Sequence, residues 1–146
     1  MNGIYKRAKR FKYNYPSTLA WRIKKHSEIV EKHLNPDEKI IYVFAAQKND
    51  NPFEIFNTYV IALTNKRILL GRKRLLFGYF LSSVTPDLFN DLKVQGGIIW
   101  GKVYIDTIKE FITLSNIANA ALPEIETAIS EYMMQAKKDY ANSLTK

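Results

Sequence analysis

Seven β-like segments in unbroken series, followed by one amphipathic helix, limit this chain to few folds. The segments are Lys39–Gln47 (KIIYVFAAQ), Ile55–Thr64 (IFNTYVIALT), Arg67–Lys73 (RILLGRK), Leu76–Ser83 (LFGYFLSS), a weaker one at Leu88–Gln95, Ile98–Asp106 (IIWGKVYID) and Glu110–Ser115 (EFITLS). Turn chemistry separates them: Asn65-Lys66, Thr85-Pro86-Asp87 and the hairpin signal Gly96-Gly97. Gly78 reads as a bulge inside the fourth segment. In the sixth, Ile99, Gly101, Val103 and Ile105 share one face, and Lys102, Tyr104 and Asp106 share the other. The closing helix begins at Pro123, with Glu124 and Glu126 at its positive end. Ile125, Ala128, Ile129, Tyr132, Met133 and Ala136 form its apolar stripe, and DYANSLTK reads as a fraying tail. A sheet with one apolar face needs a cover, and its ends need closing. One late helix can plug one end of a curled sheet. The expected fold is therefore mainly β with α, a small, partly open barrel or sandwich with a helical cap.

Upstream the period is helical. Ser17 reads as the N-cap of a helix to about Leu34, with Leu19, Ile23, Val30 and Leu34 on one stripe. Trp21 falls on the opposite face, among Lys24, Lys25, Glu28 and Lys32. Residues 1–16 read as a basic arm in which Tyr5, Phe11, Tyr13 and Tyr15 alternate with cations. The expected organisation is an arm at 1–16, a helix at 17–36, the β domain at 37–140 and a tail at 141–146. Charge follows this division. Residues 1–27 hold eight cations (Lys6, Arg7, Lys9, Arg10, Lys12, Arg22, Lys24, Lys25) and no acid, while the rest of the chain is balanced at fourteen of each sign. The whole excess of +8 thus lies in the first 27 residues. Such a region suits a phosphate-rich surface, either anionic membrane or nucleic acid.

ALTNKRILL resembles the LTNKR-type signature of bacterial pleckstrin-homology (PH) domains, and most resembles the YokE-like branch. HLNPDEKIIYVF is similar to that family's entry into its first strand. GGIIWGKVYIDT resembles its late hairpin, and ALPEIETAIS the start of its capping helix. The resemblance spans Leu34 to Met134. It implies about seven antiparallel strands in two near-orthogonal sheets with a C-terminal capping helix, here preceded by an extra N-terminal helix. It implies a binding module, not an enzyme. Eukaryotic members that bind phosphoinositides carry a basic motif near the first hairpin loop. The matching stretch here, QKNDNPFE, sets one Lys against Asp50 and Glu54, so that motif is absent.

Catalytic constellations are missing from the sequence. No HExxH, G-x-S-x-G, P-loop or GxGxxG occurs. There is no cysteine, hence no thiolate nucleophile or sulfur-based zinc site. His26 and His33 are seven residues apart on one helix, roughly 10 Å along its axis, too far to share an ion and suited to packing. No cofactor, metal or enzymatic activity is expected. No apolar h-region follows the basic N-terminus, so a cytoplasmic protein is expected, one able to sit peripherally at a membrane.

The candidate anion or membrane contacts are Lys6, Arg7, Lys9, Arg10, Lys12, Arg22, Lys24 and Lys25, together with Arg72, Lys73 and Arg74. Lys66 and Arg67 read instead as turn and surface residues of the signature. Trp21 is the candidate partner contact. The leading expectation is protein interaction or self-association, through the added N-terminal helix, Trp21 and the apolar strand Ile55–Thr64 as a shared sheet edge or interface. Anionic membrane is the alternative, and nucleic acid bound by the same arm is the second.

Overall fold

The computed structural model describes residues 3–49 and 56–145. Ten principal elements follow in order: α1 (Gly3–Asn14), α2 (Ile23–Lys32), β1 (Ile40–Lys48), β2 (Thr58–Thr64), β3 (Ile68–Lys73), β4 (Tyr79–Val84), β5 (Phe89–Gln95), β6 (Trp100–Thr107), β7 (Phe111–Ala118) and α3 (Leu122–Leu144). Each of the seven expected strands is present with its ends moved by a few residues. Ile55, placed at the start of the second, lies outside the described residues.

The strands form one antiparallel sheet in the order β4-β3-β2-β1-β7-β6-β5, curled into a half-barrel. β1 is the seam. It pairs with β2 along its length, but with β7 only at Gln47 and Lys48. β2 is hydrogen-bonded on both sides, to β1 and β3. The expectation that it offers a shared sheet edge is therefore overturned. A continuous apolar run such as YVIAL is what an interior strand covered on both faces requires, and every residue of β2 is buried. The free edges are β4 and β5.

Strand periodicity explains the double cover. Phe44, Ile61 and Leu70 point inward, to a core shared with Leu114, Ile117 and α3 residues Ile125 and Ile129. Their chain neighbours Val43, Val60 and Leu69 point outward, onto a second core built with Ile4, Ala8 and Val30. The outer cover is an antiparallel pair made by α1 and α2. This corrects the reading of residues 1–16 as an arm. Ile4, Ala8 and Phe11 make a stripe only three residues long, spaced at i, i+4 and i+7 between five cations. That stripe is buried against the sheet.

The second helix is also shorter than expected. It begins at Ile23, and Arg22 precedes it in the left-handed region at φ 54°. Ser17 is not its cap. The segment between the helices is tied to β7: the Thr18 hydroxyl accepts from Ala118 N–H, and the Leu19 N–H donates to the Asn116 carbonyl. α3 runs to Leu144, so residues 141–144, read as tail, are helical. Its Glu124 accepts hydrogen bonds from Tyr42 (2.6 Å) and Tyr15 (3.0 Å), tying the C-terminal helix to both β1 and the N-terminal segment.

The LTNKR turn lies at one end of the barrel and is a closed structural unit. Asn65 Oδ1 accepts from Lys39 N–H, and Thr64 Oγ1 accepts from the N–H groups of both Lys66 and Arg67. Arg67 reaches Glu38 with Nη2 at 2.7 Å and Nε at 3.2 Å, and its Nη2 also donates to the His33 carbonyl. Lys66 pairs with Asp37 at 3.2 Å. The signature cations are thus committed to turn geometry, Lys66 at the surface and Arg67 largely covered in its pair with Glu38 where a surface residue is expected.

Candidate functional site

The opposite end of the sheet gathers what the turn end lacks. There β1 ends, β2 begins, β3 ends and β4 begins. Antiparallel register sets Lys73 across from Tyr79 and Arg72 across from Phe80. The β3–β4 hairpin is closed by Arg74 N–H donating to the Gly78 carbonyl at 3.0 Å. Gly78 sits at φ +77°, a region glycine enters without steric cost, so it is a turn residue and not a strand bulge. Leu75, Leu76 and Phe77 form the tip of this hairpin, outside β4. They are 75%, 79% and 81% exposed.

α2 delivers a second set of cations to the same end. Its first turn follows Arg22, whose Nη1 donates to the Lys73 carbonyl at 3.2 Å. Lys24 and Lys25, in that first turn, are exposed. Trp21 is half-exposed beside them, and its backbone N–H donates to Thr58 Oγ1 at 3.1 Å. Arg72 Nη2 donates to the Phe56 carbonyl, bringing another exposed aromatic residue to this end. Arg74 stacks its guanidinium 5.4 Å from the Phe80 ring centroid.

His26 fastens helix to hairpin. Its Nδ1 accepts the Lys73 N–H at 2.9 Å, and the residue is buried. Burial, then the nearby charges of Arg22 and Arg72, lower its pKa from 6.5 to about 4. The acceptor role requires an unprotonated Nδ1, so geometry and charge agree. A group depressed in the folded state stabilises the fold above its unfolded pKa and loses that contribution on acidification. The His26 contribution should be whole above pH 6.5 and fade as pH falls through about 4. In an NMR titration its ring signals should stay flat between pH 7 and roughly 5; a midpoint near the ordinary 6.5 would refute this placement. His33 is a packing residue too, with Nδ1 2.7 Å from the Ile29 carbonyl and Nε2 3.2 Å from Tyr79 Oη.

The expected site residues divide accordingly. Arg22, Lys24, Lys25, Arg72, Lys73 and Arg74 share the hairpin end, with Arg72 and Lys73 partly buried. Lys6, Arg7, Lys9 and Arg10 are exposed on α1. Lys9 lies 5.1 Å from the Tyr5 ring centroid, and Arg7 Nη1 reaches the Ile41 carbonyl. Lys12 is structural: its ammonium donates to the carbonyls of Pro16 and Thr18, and burial lowers its pKa. The sequence reading missed the apolar hairpin tip, taking Leu76 as the start of a strand. Three bulky apolar residues between Arg72-Lys73-Arg74 and a glycine were the available signal.

A groove of about 450 Å³ between β1 and α3 is the competing location. Glu131 and Asp139 line it beside Tyr42 and Tyr132, so it suits no anion. Among the described residues no group of three or more His, Asp or Glu is placed to hold a metal ion. No described helix is long and apolar enough to cross a membrane. A family model described as bacterial PH domain matches residues 34–131. No curated protein matches the chain.

Proposed function

The chain belongs to the bacterial PH domain family, whose members are generally binding modules, and from that premise we propose that this one is a non-enzymatic module binding the surface of anionic membranes peripherally. The observation that carries the reading is the convergence of Arg22, Lys24, Lys25 and Arg74 with half-exposed Trp21 at one end of the barrel. Cations beside indole and phenyl rings suit the headgroup layer, where each cation contributes about 1 kcal/mol. Self-association loses one of its supports, the strand β2, which is interior, and keeps the added N-terminal helix and half-exposed Trp21. Nucleic acid would meet the same cations. Within the family, the LTNKR string favours the YokE-like branch, and the short β1–β7 seam favours two near-orthogonal leaves, β1–β4 and β5–β7.

Co-sedimentation with vesicles tests the proposal. Binding is expected to vesicles rich in phosphatidylglycerol and not to pure phosphatidylcholine, with affinity falling steeply as salt rises. Lys24→Gln with Lys25→Gln should weaken it roughly thirtyfold at low salt. Equal affinity for neutral vesicles, or a stronger shift with duplex DNA than with lipid, would sink this reading. Deleting residues 1–16 is not a usable control, because Ile4, Ala8 and Phe11 belong to the core.

A further inference from the structure

We propose that the β3–β4 hairpin tip, Leu75-Leu76-Phe77, is an apolar wedge that enters the acyl boundary of the bilayer while the surrounding cations hold its headgroups. The inference rests on the membrane reading above and adds the depth and chemistry of contact.

Three consecutive large apolar side chains at 75–81% exposure are costly in water and rare without a use. Among the described residues nothing in the fold absorbs them. Arg74 N–H closes the hairpin at its neck, and the three side chains stand beyond that bond. Tyr79 and Phe80 follow on the first positions of β4, each about half exposed at 49% and 48%. The tip is thus graded: wholly apolar at its end, aromatic at its shoulder, cationic at its base. A bilayer leaflet has the same order, from hydrocarbon through the interfacial zone to phosphate. Lys73, Arg74 and Arg22 stand at the base, Arg22 through its bond to the Lys73 carbonyl. An acidic protein partner would meet the cations but would need a matching apolar slot for the tip; an anionic leaflet supplies both layers without one.

The wedge makes a claim that charge alone does not. Binding driven only by cations vanishes at high salt. Binding with an inserted tip leaves a residue that salt does not remove, because burial of apolar surface is insensitive to screening. Two variants test this on the full chain with vesicles of equal parts phosphatidylglycerol and phosphatidylcholine. Leu76→Ser with Phe77→Ser should lower partitioning on the order of tenfold and abolish the salt-resistant fraction. Both side chains are solvent-exposed, so the melting temperature should be unchanged. Phe77→Trp should emit to the blue in vesicles and be quenched by lipids brominated high on the acyl chain.

If the double Ser variant binds as the parent does and Phe77→Trp is not quenched, the wedge is wrong while surface binding stands. If the parent protein binds no anionic vesicle at low salt, the membrane reading itself fails. If the Ser variant instead changes the oligomeric state by native mass spectrometry, the tip is a contact between copies, and the wedge is overturned on that ground.

Discussion

Gly71→Val should unseat α2 and scatter the cationic end of the barrel. Gly71 sits in β3 directly beneath α2, where an added Cβ would lie 2.6 Å from Val30 Cγ2 and 3.4 Å from the Val30 backbone nitrogen. Val30 is fully buried and β-branched, so it has no free rotamer to retreat into. Gly71→Ala should cost about 1–3 kcal/mol as overpacking, and the valine more. For a chain of this size that is a fall in melting temperature of roughly 5–10 °C. Function should follow, since α2 carries Lys24 and Lys25 and its leading Arg22 is bonded to β3. Vesicle binding should drop for Gly71→Val even at temperatures where the protein stays folded. Val30→Ala should restore part of the loss in Gly71→Ala, because it clears the space the new methyl needs. Additive effects in that double-mutant cycle would show that the two residues do not compete for one space.

This close approach also shows where sequence reading stops. β2 and β3 were legible because two apolar runs broken by Asn65-Lys66 permit only one tight antiparallel pairing. β6 was legible because Gly101, Val103 and Ile105 keep strict period, and their burial follows it. α1 was not legible. Its apolar stripe of three residues is drowned by the cations around it, and only the outer face of β1–β3 gives it something to cover. The same holds for the site. Arg72 to Arg74, Arg22, Lys24, Lys25 and Trp21 were each visible as candidates. Their meeting was not, because Arg22 and Lys73 are 51 residues apart and come together only through α2 crossing β3. Side-chain chemistry was readable at each position, whereas the juxtaposition is a property of the tertiary fold.

The family signature acts on that juxtaposition from a distance, and Arg67→Met should reveal it. Glu38 has no exposed side-chain surface and Arg67 is 19% exposed, so theirs is a partly buried pair. Removing the arginine takes the charge partner from a carboxylate that keeps its bonds from Thr64 and the Asn35 N–H, a change that costs about 1–3 kcal/mol. It also frees the His33 carbonyl just past the C-terminal end of α2. That end of the helix would then keep the His33–Tyr79 and Glu31–Ile4 contacts, while His26 and Arg22 hold its other end on Lys73. The pH dependence separates the two anchors. Burial pushes the Glu38 carboxyl up, but hydrogen bonds from Arg67, Thr64 and the Asn35 N–H, with the Arg67 charge, bring it down from 4.5 to about 2. A depressed carboxyl stabilises the fold above its unfolded pKa, so this contribution is whole above pH 4.5 and is lost as pH falls through about 2. The His26 window lies higher, between 6.5 and about 4. Denaturant unfolding of the parent should therefore weaken in two stages on acidification. Glu38→Gln should flatten the lower stage and leave the upper one, and an unchanged acid limb in that variant would exclude Glu38 as its source. Vesicle affinity at pH 7 should fall less for Glu38→Gln than for Gly71→Val, because the first loosens the far end of α2 and the second lifts the face that carries the cations.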